Sequence, residues 1–521
     1  MKKEWLIKTL VVGIILFFIC MSIIPSFAFD NVKKSLIPFS DGNILYVGGD
    51  GPGNYSTINE AIDNASDGDS IYVYNGTYNE RLRINKQLFI KGIQNLSGEY
   101  PIIKGSTDYE TVIIYADGCI LENLGVIHGH RGVIFSSNNN TITNCTIQRT
   151  GIALLISSFN NNTIINNTMT IGSTGIKTSG SNNTFYNNNI HDHADHEFEV
   201  GGQNNYFFNN IASNSKTGNG FEVYGNNCLF SGNVIKSNRI YGFHLAKSYN
   251  NTLINNTFNN NGLSISGDIE HLISHTIENN FINNKPIYFI KNKQNIEINS
   301  DAGQVFLINC TNCIIKNLDI HSSGIGIYLL CSSNNTIIKN KITSTWQIGI
   351  YLLDSHNNVI SDNFIQQNSY GIRLGKSNNN EIFRNIILDN NIGVCFDQNS
   401  NSNEIFLNDL INFIENEDIN AISDGINIWD NGKRGNYWCD YWLLYPWAPI
   451  IWIKGVYSIP YELDEQNKDN YPLVRPHNLF KSREYKNVLF FDVFLKRFLE
   501  QFPNALPILR YILEFFKREV K

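Results

Sequence analysis

The densest run of ionisable side chains in the chain is His-Asp-His-Ala-Asp-His-Glu at residues 191–197. Alternate residues of a β-strand project from the same face, so a strand here would bring His191, His193 and Asp195 together. Imidazole and carboxylate groups suit zinc and similar divalent metals. The run therefore predicts a divalent-metal site, and the alternative is a solvated corner loop.

A second candidate site emerges when the chain is aligned on a recurring glycine. The second position after that glycine, or after its equivalent, is occupied by Lys177, Glu199, Glu222 and His244. Their apolar neighbours point inwards, so these four residues should form an outward column on successive strands. Two carboxylates about 5 Å apart raise one pKa by repulsion, which suits acid and base catalysis on a glycosidic bond. The alternative is a surface ladder in which Lys177 and His244 neutralise the glutamates.

Asparagine offers a third kind of chemistry, because about a dozen Asn-x-Ser/Thr sequences occur and exported chains can be glycosylated at them. The glycosylation candidates are Asn54, Asn75, Asn144, Asn166 and Asn255. Most of these sequences coincide with a repeated asparagine pair, so they mainly reflect the fold.

The repeat that positions these residues is clearest at residues 333–374. The tetrads that begin at Asn334 and Gly349 return at Asn357 and Gly371, after 22 to 23 residues. Alternating β-branched residues follow each pair and leave no room for a helix, which disfavours a leucine-rich repeat. Asparagine tolerates the left-handed backbone of a tight corner, and its amide can link one turn to the next. The pattern predicts an all-β, single-stranded parallel β-helix of about 15 turns of 21–24 residues over 84–427, with an irregular insert at 279–312.

The composition argues against a nucleic-acid surface and against a disulfide framework. A charged fraction of 17% and a net charge of −7 give no basic surface for nucleic acid, so we expect no nucleic-acid partner. Most of the nine cysteines are scattered singly, which is no disulfide framework. Cys310 and Cys313 have CxxC spacing, but they lie where strands are expected, which favours small buried side chains over a redox or metal role.

The two ends differ from the repeats. Residues 1–28 combine Lys2 and Lys3 with a short apolar run and a small-residue segment, which predicts a signal peptide or, alternatively, an uncleaved anchor. Either interpretation places the rest of the chain outside the cytoplasm. Residues 44–83 predict a terminal cap with a short helix that begins near Thr57. Residues 476–521 predict a linker and an amphipathic helical tail, which would dock on the coil, bind a membrane surface or oligomerise.

The run from Ser56 to Glu80 resembles the opening of right-handed parallel β-helix proteins of the pectin-lyase-like superfold, in their NosD-like, carbohydrate-binding and sugar-hydrolase branch. The insert and a closing segment at 428–475 resemble the same branch. The sequence departs from it at 443–453, where an apolar, aromatic stretch replaces an acidic loop and puts any ion site there in doubt. The resemblance implies a polysaccharide or cell-surface glycan as partner, with sites in an exterior groove.

These observations predict an exported, NosD-like β-helix that binds carbohydrate or acts as a scaffold. The first alternative is a polysaccharide lyase or glycoside hydrolase that uses Glu199 and Glu222. The second is a maturation or transport-associated partner protein, as the NosD resemblance implies. Three methionines in the whole chain are too few for a methionine copper relay. A divalent metal is the one cofactor that the residues suggest.

Overall fold

The computed structural model describes residues 42–321, 323–412 and 419–478. The predicted export segment at 1–28 and nearly all of the tail at 476–521 therefore lie outside the described residues. The chain divides into two units, the first running to Asn259 with two later short pieces and the second holding most of the rest.

The first unit is built from three strand ladders. Sheet A has eleven parallel strands: Ile44–Val47, Ser70–Tyr74, Phe89–Ile93, Ile120–Glu122, Thr141–Thr143, Thr163–Ile165, Thr184–Tyr186, Tyr206–Phe208, Leu229–Ser231, Thr252–Ile254 and Thr276–Glu278. Sheet B has Thr77–Tyr78, Ile102–Lys104, Gly125–Ile127, Thr146–Ile156, Thr168–Thr178, Asn189–His191, Ile211–Ser213, Val234–Lys236 and Thr257–Asn259. Sheet C has Leu82–Ile84, Glu110–Ile114 and Arg131–Phe135, shares the two eleven-residue strands of sheet B, and continues as Phe198–Val200, Phe221–Val223, Phe243–Ala246 and Leu263–Ser266.

The second unit also has three ladders. Sheet D has Glu297–Ile298, Ile314–Lys316, Thr336–Ile338, Val359–Ser361, Glu381–Phe383 and Glu404–Phe406. Sheet E has Asp319–His321, Lys341–Thr343, Phe364–Gln366, Ile386–Leu388, Asp409–Ile411 and Tyr437–Trp438. Sheet F has Lys285–Lys291, Gln304–Ile308, Ile325–Leu330, Ile348–Leu353, Tyr370–Gly375, Ile392–Phe396 and Ile419–Ser423.

The remaining elements are few. Phe281–Ile282 pairs antiparallel with Lys285–Lys291, and two hairpins join Ile450–Ile451 to Val456–Tyr457 and Tyr461–Glu462 to Lys468–Asp469. In the part of the chain that the structure describes, the helices are Ile58–Asn64, Ile269–Ser274 and Tyr441–Leu444. None of these helices is long and apolar enough to cross a membrane.

The predicted parallel β-solenoid is confirmed, with about 17 turns instead of 15. The two extra turns come from Ile44–Val47 and Ser70–Tyr74, which pair in register with each other and with Phe89–Ile93. Both strands lie inside the segment predicted as a cap. That segment also contains the helix Ile58–Asn64, which begins with a capping box between Thr57 and Glu60.

The insert predicted at 279–312 is more regular than its sequence suggests. Its strand Lys285–Lys291 pairs in parallel with Gln304–Ile308, with Ile287 opposite Gln304. The stretch at 292–296 therefore only links the strand Lys285–Lys291 to the strand Glu297–Ile298.

The two asparagines of each pair have opposite roles. Asn357 is exposed at a corner with φ 55°, whereas Asn358 is fully buried. The Oδ1 atom of Asn358 accepts from the main-chain N–H of Asn335 at 2.8 Å, and its own N–H donates to Asn380 Oδ1 at 2.8 Å. The buried asparagines thus form ladders that satisfy corner N–H groups which no strand can pair.

Apolar stacks fill the interior of each unit. In the first unit, the rings of Phe185, Phe207 and Phe230 stack at centroid distances of 4.5 and 4.7 Å. In the second unit, isoleucine and leucine fill the core, which ends at Trp429 and Trp438. Burial of these side chains is the main favourable free-energy term for folding such a coil.

All eight cysteines that the structure describes are free, and most are buried. Cys310 and Cys313 occupy ladder positions, where their N–H groups donate to Ser332 Oγ at 3.0 Å and to Asn335 Oδ1 at 2.8 Å. Burial raises the pKa of the Cys310 thiol, which disfavours the thiolate that metal binding and redox exchange need.

Candidate functional site

The four residues of the predicted column lie side by side on sheet C. Lys177 is opposite Glu199, Glu199 is opposite Glu222, and Glu222 is opposite His244 on successive strands. The strands Phe198–Val200, Phe221–Val223 and Phe243–Ala246 keep their flanking residues buried, so the middle residue of the alternating triplet faces outwards.

Both carboxylates of this column are already paired with a cationic or ionisable partner. Lys177 Nζ lies 2.8 Å from Glu199 Oε1, and His244 Nδ1 lies 3.0 Å from Glu222 Oε2. The arrangement is the ladder that the sequence offers as the alternative to catalysis.

Glu222 is the most enclosed member, at 5% exposed. Burial opposes its ionisation, but the hydrogen bond and charge of His244, together with Asn219 Nδ2, outweigh burial and lower the pKa of Glu222. Repulsion between adjacent carboxylates was expected to raise one pKa, and for Glu222 the direction is the opposite. Glu222 is therefore an ionised acceptor at neutral pH and is poorly suited to act as a general acid.

Aromatic side chains frame the carboxylates. Tyr224 is 53% exposed, and burial of its hydroxyl beside the hydrogen-bonded charge of Glu222 raises the pKa of Tyr224 to about 12. The ring of Tyr241 lies 5.3 Å from the ring of His244. Sequence reasoning missed both tyrosines, although Tyr224 follows Glu222 by two residues and therefore shares its face.

Asn219 and His196 hold this site from the preceding corner. The N–H of Asn219 donates to His196 Nδ1 at 3.0 Å, and Asn219 Oδ1 accepts from the N–H of Tyr241 at 2.7 Å. The amide of Asn219 therefore fixes the Glu222 carboxylate relative to two neighbouring turns. This is a preorganised polar surface and not a set of mobile surface ions.

The prediction that His191, His193 and Asp195 share one face is wrong. The strand Asn189–His191 ends at a corner, because Asp192 has φ 63°, and the alternation stops there. His193 is fully buried, whereas His191 and Asp195 stay at the surface. Among the residues that the structure describes, no group of three or more His, Cys, Asp or Glu side chains could hold a metal ion.

His193 instead forms a buried pair with Glu197. Its Nδ1 atom lies 2.5 Å from Glu197 Oε2, and its N–H donates to Glu197 Oε1 at 3.2 Å. Burial raises the pKa of Glu197 against the opposing effect of His193. The pair closes the inside of the corner, which leaves His196 and Asp195 on the outside beside the column.

The glycosylation candidates differ in accessibility. Asn144, Asn166 and Asn255 are exposed at corners with φ between 53° and 58°. Asn54 is partly buried, and its Nδ2 atom donates to Gly48 O at 2.6 Å. Asn75 is exposed, but its amide donates to the carbonyl groups of Glu99 and Tyr100.

Two family matches cover successive parts of the chain and overlap at residues 276–286. Residues 131–286 match a family described as a right-handed β-helix region, and residues 276–442 match a family described as the periplasmic copper-binding protein NosD. A comparison with curated proteins gives no match.

Solved structures with a similar chain path are distant in sequence. The catalytic domain of a GH87 alpha-1,3-glucanase in complex with nigerose is 14% identical, with 65% of this chain and 67% of that chain covered and a TM-score of 0.37. A pectin methylesterase from Aspergillus niger is 13% identical over 58% and 86%, with a TM-score of 0.27. The A-module of a mannuronan C-5 epimerase from Azotobacter vinelandii is 14% identical over 71% and 92%, with a TM-score of 0.26.

The residues do not fit the copper that the matched family's description names. Soft thioether and thiolate ligands select copper, and Met169, the one methionine in the described part of the chain, is fully buried. Most of the described cysteines lie inside the coil, and burial raises the pKa of Cys395 to about 11. The repeat register, the asparagine ladders and the family matches agree that the chain is a right-handed parallel β-helix, and its residues 276–442 are similar to NosD.

Proposed function

We propose that the protein is exported and binds carbohydrate on sheet C, with the surface around Glu199, Glu222 and Tyr224 as its binding site. The observation that carries this proposal is the combination of ionised carboxylates and an exposed aromatic ring on one face. Aromatic rings pack against the apolar face of a sugar, and fixed carboxylates accept hydrogen bonds from its hydroxyl groups.

The held geometry of Glu222 supports binding over glycosidic cleavage. A glycosidase needs one carboxylic acid that keeps its proton near neutral pH, and the lowered pKa of Glu222 removes it from that role. Glu199 is held by an ion pair with Lys177 at 2.8 Å. Such a surface can donate and accept hydrogen bonds to a bound sugar.

The proposal is tested by measuring the binding of purified protein to a panel of polysaccharides. Tyr224→Ala and Glu222→Gln should each weaken binding about tenfold, the size expected for one lost ring contact or one charged hydrogen bond. Tyr206→Ala and Glu122→Gln are matched controls on sheet A, where Glu122 is paired with Lys91 at 3.2 Å. Binding that is equal in all four variants would contradict a site on sheet C.

Glycosidic cleavage stays the competing function. Incubating the same polysaccharides with the protein and measuring oligosaccharide release separates the two. Release that disappears in Glu222→Gln would establish the enzyme and overturn a purely binding role. Intact polysaccharides with measurable binding would rule out glycosidic cleavage.

The extracytoplasmic location rests on the apolar segment at 1–28 and on the matched family, which is described as periplasmic. Cell fractionation tests it, and recovery in the cytoplasmic fraction with residues 1–28 intact would contradict it.

For the tail at 476–521, we favour docking on sheet E over the membrane surface. The N–H groups of His477 and Asn478 donate to Asp409 at 2.6 and 2.8 Å, which starts the tail at that sheet. The outward residues Leu388 and Ile411 beside Asp409 are buried. A chain that ends at Pro476 should melt at a lower temperature. If that chain instead loses liposome binding and keeps its melting temperature, the tail binds a membrane surface.

A further inference from the structure

Ser266, His244 and Glu222 form an uninterrupted hydrogen-bonded chain on the outer surface of sheet C. His244 Nε2 lies 3.0 Å from Ser266 Oγ, and His244 Nδ1 lies 3.0 and 3.2 Å from the two Glu222 oxygens. Ser266 is the last residue of the strand Leu263–Ser266, which pairs with the strand that carries His244. All three side chains belong to the first unit.

From this chain of contacts we propose that Ser266 is a nucleophile activated by His244 and Glu222, and that the protein hydrolyses ester bonds. A hydroxyl, an imidazole and a carboxylate in this order are the parts of a serine hydrolase triad, which is recognised by geometry and not by the order of residues along the chain. The distance between Ser266 and His244 permits proton transfer, and the distance between His244 and Glu222 is that of a hydrogen bond that orients the imidazole.

The surroundings of Glu222 suit the role of the carboxylate. It must stay ionised and immobile to hold a histidine with its proton on Nδ1, so that Nε2 is free to accept the serine proton. Asn219 Nδ2 binds the same carboxylate, and the pKa of Glu222 is lowered in spite of burial. His244 is itself confined by the ring of Tyr241 at 5.3 Å.

The reaction is an acyl transfer that water completes. Ser266 Oγ forms a bond to the acyl carbon as its proton moves to His244 Nε2, and that proton then passes to the departing alcohol as the carbon–oxygen bond breaks. Water, deprotonated by His244, next attacks the acyl-serine, releases the carboxylic acid and returns the proton to Ser266. No oxidant, reductant or metal takes part in either half.

The substrate class follows from the neighbours of the relay and rests on the proposed carbohydrate site. Tyr224 and Glu199 lie on the same face as Glu222, so a bound sugar would present its hydroxyl groups beside Ser266. The ester that fits is an acyl group on a sugar hydroxyl of a polysaccharide. Such a protein would remove acyl groups without cutting the chain.

A fluorophosphonate probe tests the nucleophile in the full-length protein, because it reacts covalently with activated serines. Labelling should map to Ser266 and vanish in Ser266→Ala, and His244→Ala should slow it by about a hundredfold or more. Ser344→Ala is a control, since the Ser344 hydroxyl contacts Gln367 at 3.5 Å and Ser344 lies at the corner after the strand Lys341–Thr343. Labelling that is absent, or that persists in Ser266→Ala, would overturn the proposal.

Hydrolysis of 4-nitrophenyl acetate and acetyl release from acetylated polysaccharide complete the test. Glu222→Gln should lower kcat about a hundredfold or more while KM for 4-nitrophenyl acetate stays unchanged, which separates positioning of His244 from binding. Ser266→Ala should retain polysaccharide binding. Failure of the esterase and failure of the carbohydrate site are therefore distinguishable, because only the latter abolishes binding in every variant.

A second surface carries an independent inference. The apolar loop, residues 442–453, has no charged residue, and its Trp447 and Trp452 are 92% and 72% exposed, while Ile453 is fully exposed. Its base is rigid: Tyr441 is buried, stacks on Tyr457 at 4.0 Å and donates to Ile459 O at 2.7 Å. Exposed apolar patches of this kind mark interaction sites.

We infer that the apolar loop inserts into the surface of a lipid bilayer with anionic headgroups. Tryptophan and tyrosine concentrate at the membrane–water interface, and nearby cations bind anionic lipids. Lys454 follows the loop directly and lies 5.8 Å from the ring of Tyr471, whose carbonyl accepts from the N–H of Gly435 at 2.8 Å. Lys433 and Arg434 directly precede Gly435 in the chain. A protein partner would not need this set of flanking cations.

Full-length protein with vesicles of phosphatidylcholine and phosphatidylglycerol tests the loop. Brominated lipid should quench part of the tryptophan emission, and Trp452→Phe should lose the share of that quenching that Trp452 contributes while keeping the apolar surface. Replacing both Trp452 and Ile453 by Asp should weaken vesicle binding at least about tenfold. Leu96→Asp is the control, because Leu96 is an equally exposed aliphatic residue in the first unit.

Quenching that is unchanged in Trp452→Phe would overturn the membrane inference, as would equal binding by the double variant and by Leu96→Asp. Self-association that disappears in the double variant, without any vesicle binding, would instead identify a second copy of the chain as the occupant. These readouts report on the loop even where residues 1–28 or the tail also touch lipid.

Discussion

Replacing Asn358 by alanine tests the asparagine ladders most directly. The buried Asn358 side chain makes four hydrogen bonds: Oδ1 accepts from the N–H and Nδ2 of Asn335 at 2.8 and 3.1 Å, and Nδ2 donates to Ser332 O at 3.0 Å and Asn380 Oδ1 at 3.1 Å. Each such bond contributes about 1 kcal/mol net, so Asn358→Ala should cost about 4 kcal/mol.

The loss should be local, because each turn of a solenoid contacts only its neighbours. Hydrogen exchange measured by mass spectrometry on peptides around Asn335 should accelerate by about three orders of magnitude, which is 4 kcal/mol at 1.4 kcal/mol per decade. Peptides several turns away should keep their protection. Thermal unfolding of the whole chain would add a second measure.

Asn357→Gly is the matched control, one residue away. Asn357 is exposed with φ 55°, a conformation that glycine adopts without strain, so its replacement should change stability by no more than about 0.5 kcal/mol. Equal acceleration of exchange in Asn357→Gly and Asn358→Ala would refute the assignment of opposite roles to the two asparagines of a pair.

Three further outcomes are expected. Gly435→Ala should unfold the closing segment, because an added Cβ would lie 1.7 Å from Asp469 Oδ1, and circular dichroism melting measures this. Burial raises the pKa of Asp469 to about 7, so the folded protein keeps a proton that the unfolded chain loses above its pKa of 3.8. The free energy of unfolding should therefore fall as pH rises from 3.8 to about 7 and then stay constant. Hydrogen exchange near Asp469 measures this change. Burial opposes the ionisation of Glu222, but His244 outweighs it and lowers the pKa of Glu222 below 4.5. The contribution of ionised Glu222 to stability is therefore complete above pH 4.5 and is lost as the pH falls below that value. The melting temperature of Glu222→Gln should decline less steeply in acid than that of the unchanged protein.

The column on sheet C was predictable because a solenoid has a single register. Glycine-aligned positions in the sequence become neighbours on adjacent strands, so Glu199 lies opposite Glu222 although 22 residues of chain separate them. The number of turns was underestimated because the strand Ile44–Val47 lacks the asparagine pair that identified the repeat. A strand can belong to the coil without carrying its corner signature.

The predicted metal site at 191–195 failed because the alternation of side chains applies only inside a strand. Asp192 takes the left-handed conformation, and the next residue, His193, turns into the core. Nothing in the run of ionisable residues marks that corner, because asparagine normally occupies it and here aspartate does. The hydroxyl of Ser266 was also missed, since its turn has a different length from its neighbours and no glycine alignment reaches it.

The relay on sheet C depends on this register more than on any single residue. Glu222 and His244 meet because Phe221 and Phe243, and then Val223 and Leu245, pair inside the coil. Adding one residue to the strand that carries His244 would turn its imidazole inwards and an apolar neighbour outwards, because side chains alternate along a strand. The buried Phe stack would resist that slip, since Phe221 and Phe243 lie 5.1 Å apart with nearly parallel rings. The apolar core therefore fixes which polar side chains can meet on the outside, and the chemistry of the surface is an indirect consequence of the packing beneath it.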